Sequence, residues 1–273
     1  MSEAKEFINV RKLIGSKSPK LLKWLPGFVL RYLERIIHQK QVNKFLEDHK
    51  DLKNEHFCVA VMKFFNVELD IRGIENIPKT GKVTLAMNHP LGGLDAMALV
   101  SGLVNHRTDL KFIVNDLLLS IEGLSGMFVG VNKHGKNGLS KHAQIDELFS
   151  SGNAICIFPA GLVSRKINGK VRDLEWKKTF VMLSKKHEMP IVPIHINGEL
   201  SNFFYRLSRI RKAIGIKSNI EMLYLVDEMF KQQNKKMIVT IGSLIPHTSL
   251  TMDKTDKQWA EEIKNKIYTQ VEH

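Results

Sequence analysis

Cysteine is nearly absent from this chain, which contains only Cys58 and Cys156 among its 273 residues. They lie far apart and neither belongs to a metal-ligand pattern, so the sequence predicts no metal site. The first twenty residues are polar and charged and lack the apolar core of a secretory signal. We therefore expect a protein that stays in a reducing cytoplasm.

Long apolar runs are also missing. The longest stretch without lysine or arginine, residues 83–106, is interrupted by His89-Pro90, Gly92-Gly93 and Asp95, which makes it a poor membrane-spanning helix. The mean hydropathy of −0.15 likewise argues against an integral membrane protein. There is no internal repeat, low-complexity tract or long linker that would indicate a second domain.

Acidic residues are outnumbered by basic ones. The chain has 41 Lys and Arg against 28 Asp and Glu, a net charge of +13, which favours an anionic partner. The single acid in residues 11–44 is Glu34, beside nine basic residues: Arg11, Lys12, Lys17, Lys20, Lys23, Arg31, Arg35, Lys40 and Lys44. Leucines and aromatic residues alternate with them. This pattern predicts a basic amphipathic helix pair, broken at Pro26-Gly27, that lies on an anionic membrane surface. The alternative is a solvated helix that packs on the rest of the protein.

The apolar periodicity predicts an α/β fold. Residues 19–64 have helical spacing, and beyond them short β-like runs alternate with helical stretches. The β-like runs are 66–71, 83–87, 111–114, 127–131, 154–158, 191–196 and 237–241, and the helical stretches are 96–104, 139–149, 175–186, 219–230 and 257–271. We expect a central, mostly parallel sheet flanked by helices over residues 65–273, preceded by an N-terminal amphipathic helical segment over residues 1–64.

Two polar loops follow predicted strands. One, residues 87–95, places His89 after a strand and Asp95 at the start of the next helix; the other, residues 158–165, reads Phe-Pro-Ala-Gly-Leu-Val-Ser-Arg. Loops at the carboxyl ends of parallel strands gather in one crevice, so the two are expected to meet. A neutral imidazole with a carboxylate to fix its tautomer is a general base. The alternatives are a core histidine, and a helix N-cap at Asp95.

These two segments resemble motifs one and three of the glycerolipid acyltransferases, the superfamily that includes the lysophosphatidate acyltransferases. Three features resemble its hemolysin-like branch, which O-acylates lyso-ornithine or lyso-glycine lipids. Five residues rather than four separate His89 from Asp95, Ala160 stands where a glutamate is usual, and Ser164-Arg165 reverse the usual order. A late helix and a strand ending at Ile241-Gly242 are also similar. The resemblance covers roughly residues 65–245.

The resemblance implies acyl transfer from an acyl-carrier protein or coenzyme A thioester to the hydroxyl of a lysolipid, with no cofactor. His89 would be the base and Asp95 its support. The residues expected to line the substrates are Gly92, Gly93, Lys133, Phe158, Pro159, Gly161, Ser164, Arg165 and Lys177. The guanidinium of Arg165 would bind the carboxylate of a lyso-amino-acid lipid through two parallel hydrogen bonds. The enzyme would act peripherally at the cytoplasmic face of the membrane.

Other functions are compatible with parts of the pattern. The close alternative is a lysophosphatidate or glycerol-3-phosphate-type acyltransferase, whose phosphate would favour further cations such as Lys133 and Lys177. A non-catalytic lipid-binding module is an alternative of another class. A nucleic-acid-binding protein would also carry basic clusters such as Arg206 to Lys212. It would not need His89 and Asp95, and aromatic residues flank that cluster on one side only, so no nucleic-acid partner is expected.

Overall fold

The protein is described by a computed structural model that covers residues 6–114, 121–130 and 141–270. Its contacts divide the chain into two compact units. The helical unit comprises the chain up to Leu52 together with Leu200–Gln233. The sheet unit comprises Lys53–Glu199 and the chain from Asn234 onward. The insertion of a helical segment between two strands of the sheet unit is not evident from the sequence pattern.

The helical unit combines four N-terminal helices with a later pair. These helices are α1 (Val10–Lys17), α2 (Pro19–Trp24), α3 (Gly27–Ile36), α4 (Gln39–Asp48), α9 (Asn202–Ala213) and α10 (Leu225–Phe230). Pro26 precedes α3 directly and produces the predicted break. Within the unit, the Nε2 atom of His38 lies 3.0 Å from Asp227 Oδ1, and the His38 ring stacks on Phe230. These contacts join the N-terminal helices to α10.

The sheet unit contains nine strands and five helices in its described residues. The strands are β1 (Glu68–Arg72), β2 (Val83–Met87), β3 (Leu110–Val114), β4 (Phe128–Gly130), β5 (Ala154–Ile157), β6 (Arg165–Ile167), β7 (Lys170–Arg172), β8 (Ile191–Ile196) and β9 (Lys236–Ile241). The helices are α5 (Asn54–Phe64), α6 (Gly93–Leu103), α7 (Lys141–Ser150), α8 (Thr179–Lys186) and α11 (Asp256–Thr269). Helix α5 falls in this unit and packs on α6, although the sequence groups residues 54–64 with the N-terminal segment.

Seven strands form one sheet in the order β1-β9-β8-β2-β5-β3-β4. Every neighbouring pair is parallel except β8 and β9. Strand β2 lies between β8 and β5 and is buried along its entire length, as expected for a central strand covered on both faces. Because β2 and β5 are parallel neighbours, the loops after Met87 and Ile157 leave the sheet at the same edge. The predicted mostly parallel α/β sheet is confirmed.

The predicted elements differ from the observed ones in a few places. Helix α9 and the β6–β7 hairpin were not predicted. The helix predicted over 175–186 begins only at Thr179, and the one predicted over 219–230 is a 3-10 segment, Ile220–Tyr224, followed by α10. Parts of the predicted 127–131, 139–149 and 257–271 segments lie outside the described residues, while their remaining parts form β4, α7 and α11.

Candidate active site

The site begins where β2 ends. The side chain of Asn88 takes the place of a backbone pair with the adjacent strand β8: its Nδ2 donates to Ile196 O at 2.8 Å, and its Oδ1 accepts from Ile196 N at 2.7 Å. Asn88 is buried, so losing this pairing would leave polar groups unsatisfied. The amide thereby fixes the point at which the chain leaves the sheet, one residue before His89.

His89 and Asp95 form the hydrogen bond that the motif predicts. The Nδ1 atom of His89 lies 2.9 Å from Asp95 Oδ2. Leu91 N also donates to this carboxylate, at 3.0 and 3.2 Å to its two oxygens. Gly92, the N-cap of α6, has φ 72°, which allows the chain to turn between the two residues. Asp95 therefore lies in the first turn of α6, with Gly93 as the first helical residue.

The exposure of the two side chains differs in the way that a general base requires. The Asp95 side chain has no exposed surface, whereas 19% of the His89 side chain is exposed. Burial raises the pKa of Asp95, and the hydrogen bond and charge of His89 act in the opposite direction. With its Nδ1 proton directed to the carboxylate, the imidazole presents Nε2 to a substrate hydroxyl. Within the described residues, no hydrogen bond occupies Nε2.

A second buried carboxylate, Asp173, connects the two motif loops. Its Oδ1 accepts hydrogen bonds from the His89 backbone N–H at 3.2 Å and from Ser164 Oγ at 2.5 Å. Its Oδ2 accepts from Trp176 Nε1 at 2.8 Å, and its own N–H donates to Tyr268 OH at 2.8 Å. Burial has the larger effect and raises the pKa of Asp173 above its ordinary value, while the hydrogen bonds that the carboxylate accepts act in the opposite direction.

Asn88, Asp173, Trp176 and Tyr268 were not predicted as site residues. An aspartate three residues before a tryptophan, just past the second motif, is the one local signal that could have indicated a polar anchor. Tyr268 lies on the last helix, 95 residues from Asp173. Nothing in its own neighbourhood in the sequence points to the site.

The second motif packs directly on His89. The ring of Phe158 stacks on the His89 ring with centroids 4.0 Å apart. Ser164 N donates to His89 O at 2.7 Å, so Ser164 lies beside His89, and its role in the acceptor site stays a prediction. Between them Pro159 O accepts from Lys177 N at 3.1 Å. Residues 158–164 thus line the loop that carries His89.

Gly161 makes the turn of this second motif. Its φ of 68° lies in the region that favours glycine, and its N–H donates to Phe158 O at 2.9 Å. A Cβ atom at this position would lie 3.1 Å from Lys177 Nζ. The exposed Lys177 is therefore the cation that the structure places beside Gly161.

Arg165 occupies a different environment from Lys177. It is the first residue of β6 and is only 6% exposed. Its Nη1 donates to Val163 O at 2.6 Å and to Ser164 O at 3.3 Å, so it braces the backbone of the second motif. Binding of a substrate carboxylate by Arg165 stays a prediction. Lys133 lies outside the described residues.

In residues 6–114, 121–130 and 141–270, no group of three or more His, Cys, Asp or Glu side chains could hold a metal ion. No helix in those residues combines the length and the apolar character that crossing a membrane requires.

An imidazole hydrogen-bonded to a buried carboxylate, at the carboxyl edge of a parallel sheet, is an arrangement that can support general-base catalysis. A family model described as acyltransferase matches residues 12–272. The chain therefore belongs to the acyltransferase family, which confirms the resemblance drawn from the two motifs.

Two curated relatives are similar along nearly the whole chain. A lyso-glycine lipid O-acyltransferase of Bacteroides thetaiotaomicron is 44% identical over 262 residues, covering 96% of this chain and 96% of that protein. Another of the same description, from Phocaeicola vulgatus, is 42% identical and covers 96% and 94%. Both are named O-acyltransferases, the enzyme class that the motifs predict.

A solved structure shares the fold. The 1-acyl-sn-glycerophosphate (LPA) acyltransferase PlsC of Thermotoga maritima superposes with a TM-score of 0.52. It covers 96% of this chain and 93% of its own, at 17% sequence identity. At that identity the similarity establishes the α/β architecture and carries no argument about the substrate.

Proposed function

We propose that this protein transfers a fatty acyl group from an acyl thioester to the hydroxyl of a lyso-glycine-type lipid. The observation that carries the proposal is the His89–Asp95 pair, a partly exposed imidazole hydrogen-bonded at 2.9 Å to a fully buried carboxylate. Two relatives of more than 40% identity named for lyso-glycine lipid acylation support the acceptor class.

The proposed reaction needs one proton carrier. Nε2 of His89 takes the proton of the acceptor hydroxyl while the hydroxyl oxygen attacks the thioester carbonyl. The tetrahedral intermediate then collapses, the carbon–sulfur bond breaks, and the departing thiolate receives the proton from His89. The products are an ester and a free thiol. Asp95 holds the imidazole in the required tautomer and stabilises its positive charge while the proton is in transit.

A nucleophile of the protein itself is not required, and the candidates are poorly placed for that role. Burial raises the pKa of Cys58 to about 12, and it also raises the pKa of the fully buried Cys156, so neither is a reactive thiolate. The Ser164 hydroxyl is buried and donates to Asp173 rather than to the imidazole. Direct attack by the lipid hydroxyl agrees with this arrangement.

We further propose that residues 11–44 hold the enzyme peripherally on an anionic membrane, where its lipid substrate resides. The exposed apolar side chains of α2 and α3, Trp24, Phe28 and Tyr32, support this. Lys20, Lys23, Arg31 and Arg35 are exposed on the same two helices. Leu30 and Ile36 are buried instead, so one face of α3 packs inside the helical unit and the other stays available for lipid.

Competition between acceptors tests the proposed function. Purified protein is offered lyso-glycine lipid and lysophosphatidate together with one acyl thioester, which is either the thioester of acyl-carrier protein or that of coenzyme A. Thiol release and the acylated lipids are then quantified by mass spectrometry. We expect acylated glycine lipid and one thiol per ester formed. Exclusive acylation of lysophosphatidate would refute the acceptor assignment, and binding of lipid without thiol release would refute catalysis. Comparing the two thioesters identifies the donor.

A further inference from the structure

Helix α9 exposes apolar side chains where a soluble helix carries polar ones. Phe203 and Ile210 lie two turns apart on one face, and Ile210 is 58% exposed. Further exposed apolar side chains follow the end of the helix in the sequence: Ile214, which is 65% exposed, Ile216 and Leu223. Clustered exposure of this kind, unlike single surface leucines, marks an interaction surface.

The same segment is strongly basic. No acid occurs between Asn202 and Ile220, while five basic residues do: Arg206, Arg209, Arg211, Lys212 and Lys217. Arg211 is buried and pairs with Glu221, with Nε 2.8 Å from Oε2. The other four are exposed and form no ion pair within the described residues. Their charge is therefore available to an anionic partner.

This surface adjoins the proposed membrane-binding helices of the same helical unit. The hydroxyls of Tyr32 on α3 and Tyr224 lie 2.9 Å apart. The ring of Phe203 packs edge-on against Tyr224 with a centroid distance of 4.9 Å. Phe28 lies one turn before Tyr32 and is exposed as well. Exposed aromatic residues of α3 and the beginning of α9 thus belong to one surface of the helical unit.

We infer that α9 and residues 214–223 form a second membrane-binding element, separate in sequence from residues 11–44, that docks on an anionic bilayer. Isoleucines enter the boundary between headgroups and acyl chains while the arginines and lysines pair with lipid phosphates. Nucleic acid would be bound through the charges alone and would leave Ile210, Ile214 and Leu223 without a partner. The inference rests on the proposed function in one respect: an enzyme that acylates a lipid must reach its acceptor at a membrane.

Two variants of the full-length protein separate the charge from the apolar contribution. One is Arg206→Gln with Arg209→Gln and Lys212→Gln; the other is Ile210→Ser with Ile214→Ser. The matched charge control is Lys63→Gln with Lys79→Gln and Lys266→Gln, three exposed lysines of the sheet unit that form no ion pair in the described structure. The matched apolar control is Met252→Ser, at 91% exposure.

Binding is measured by flotation with vesicles of phosphatidylglycerol and phosphatidylcholine, and with phosphatidylcholine alone. Each basic side chain near an anionic surface contributes about fivefold in partitioning, equivalent to about 1 kcal/mol. We expect the triple charge variant to bind the anionic vesicles on the order of 100-fold more weakly. The isoleucine variant should also bind more weakly, and both controls should bind like wild type.

A label reports insertion directly. The two native cysteines are buried, so Ile214→Cys provides a single accessible thiol for an environment-sensitive fluorophore, with Met252→Cys as its control. We expect emission from position 214 to rise and shift to the blue with anionic vesicles only, and emission from position 252 to stay unchanged.

Wild-type binding by both α9 variants, or no change of emission at position 214, would overturn the inference. So would selective binding of an RNA or DNA duplex that is lost in the triple charge variant while vesicle binding is kept. Neither assay measures turnover, so a failure of acyl transfer leaves the inference standing, and a failure here leaves the proposed reaction standing.

Discussion

Asp173 Oδ1 accepts a hydrogen bond from the backbone N–H of His89 at 3.2 Å, and the two residues are 84 positions apart in the sequence. On the other side of the same residue, His89 O accepts the N–H of Ser164 at 2.7 Å. The backbone of the proposed base is therefore held at both of its polar groups by the second motif and the segment after it. Because Asp95 holds the ring, both the backbone and the side chain of His89 are fixed before a substrate arrives.

Asp173→Asn should misplace the base without removing it. The aspartate accepts hydrogen bonds from His89, Ser164 and Trp176, and an amide turns one of its two acceptor atoms into a donor. We expect a loss of about 1–3 kcal/mol in the free energy of unfolding. We also expect a roughly 10- to 100-fold fall in kcat with little change in KM. Steady-state kinetics and urea unfolding check this.

The control for that variant is Asp70→Asn, which removes a partly exposed carboxylate paired with Arg72. It should leave kcat unchanged. A folded Asp173→Asn protein with wild-type kcat would show that Asp173 holds the fold but does not position His89.

His89→Ala should remove nearly all acyl transfer and leave the fold intact, because no other side chain is proposed to take the hydroxyl proton. A positioned general base contributes roughly 10²- to 10⁴-fold in rate, and we expect kcat to fall within that range. Asp95→Asn should be less severe, because an amide oxygen can still accept a hydrogen bond from the Nδ1–H group of His89, although the supporting negative charge is lost. Thiol release by proteins with wild-type circular dichroism measures both. Wild-type turnover by His89→Ala would refute the mechanism.

The sequence predicts the His89–Asp95 pair and the meeting of the two motif loops, but it does not predict the contacts of Asp173 and Tyr268. His89 and Asp95 are close because a short glycine-containing loop joins the buried strand β2 to α6, and each feature is visible as a pattern. Asp173 and Tyr268 reach the site only through the packing of the β6–β7 hairpin and α11. Hydrophobic periodicity carries no information about such a contact.

Helix α9 shows a second limit of prediction from pattern. Its buried face includes Ser208 and Arg211, while Ile210 faces outward. Phe204 and Tyr205 are buried in the first half of the helix, but the apolar periodicity that normally indicates a helix does not continue into its second half. Arg211 can be buried because the carboxylate of Glu221 lies beside it, a pairing that no local rule predicts. The sequence consequently shows this stretch as a basic cluster rather than as a helix.

Gly161→Ala should impair the enzyme by straining the backbone of the second motif and displacing the ammonium group of Lys177 by a few tenths of an ångström. The new Cβ would lie 3.1 Å from Lys177 Nζ and would occupy a backbone with φ 68°. Gly169→Ala is the matched control, since its φ is 80° and no atom lies within 4 Å of the added Cβ. A left-handed conformation costs each variant roughly 1–2 kcal/mol in stability. We expect a fall in kcat/KM for Gly161→Ala only, and equal losses for the two variants would contradict the proposed contact.

His195 should make the protein sensitive to acid. Burial lowers the pKa of His195 from 6.5 to about 4, so between these values the unfolded chain binds a proton that the folded chain does not. Its contribution to stability is complete above pH 6.5 and is lost as the pH falls toward 4. We expect a loss of about 2 kcal/mol in the free energy of unfolding from this group at pH 5.

Urea unfolding at pH 7 and pH 5 tests the role of His195. His195→Phe should abolish this part of the pH dependence, whatever its stability at pH 7. His56→Phe, at a side chain that is 71% exposed, should keep the wild-type difference between the two pH values. An unchanged difference in His195→Phe would show that other groups cause the acid sensitivity.

Arg165 and Lys177 are the two described cations proposed to line the acceptor site, and their environments separate their roles. Arg165→Lys keeps the charge but loses the planar fork, which can hold a carboxylate through two hydrogen bonds and which also braces Val163 O. Lys177→Gln removes a single exposed charge next to Gly161. Because a point charge cannot reproduce the fork, we expect Arg165→Lys to lower kcat/KM for lyso-glycine lipid more than Lys177→Gln does. Kinetics with the acceptor varied at saturating thioester measure both. A larger rise of the acceptor KM in Lys177→Gln would instead assign the carboxylate to Lys177 and leave Arg165 as a brace of the second motif.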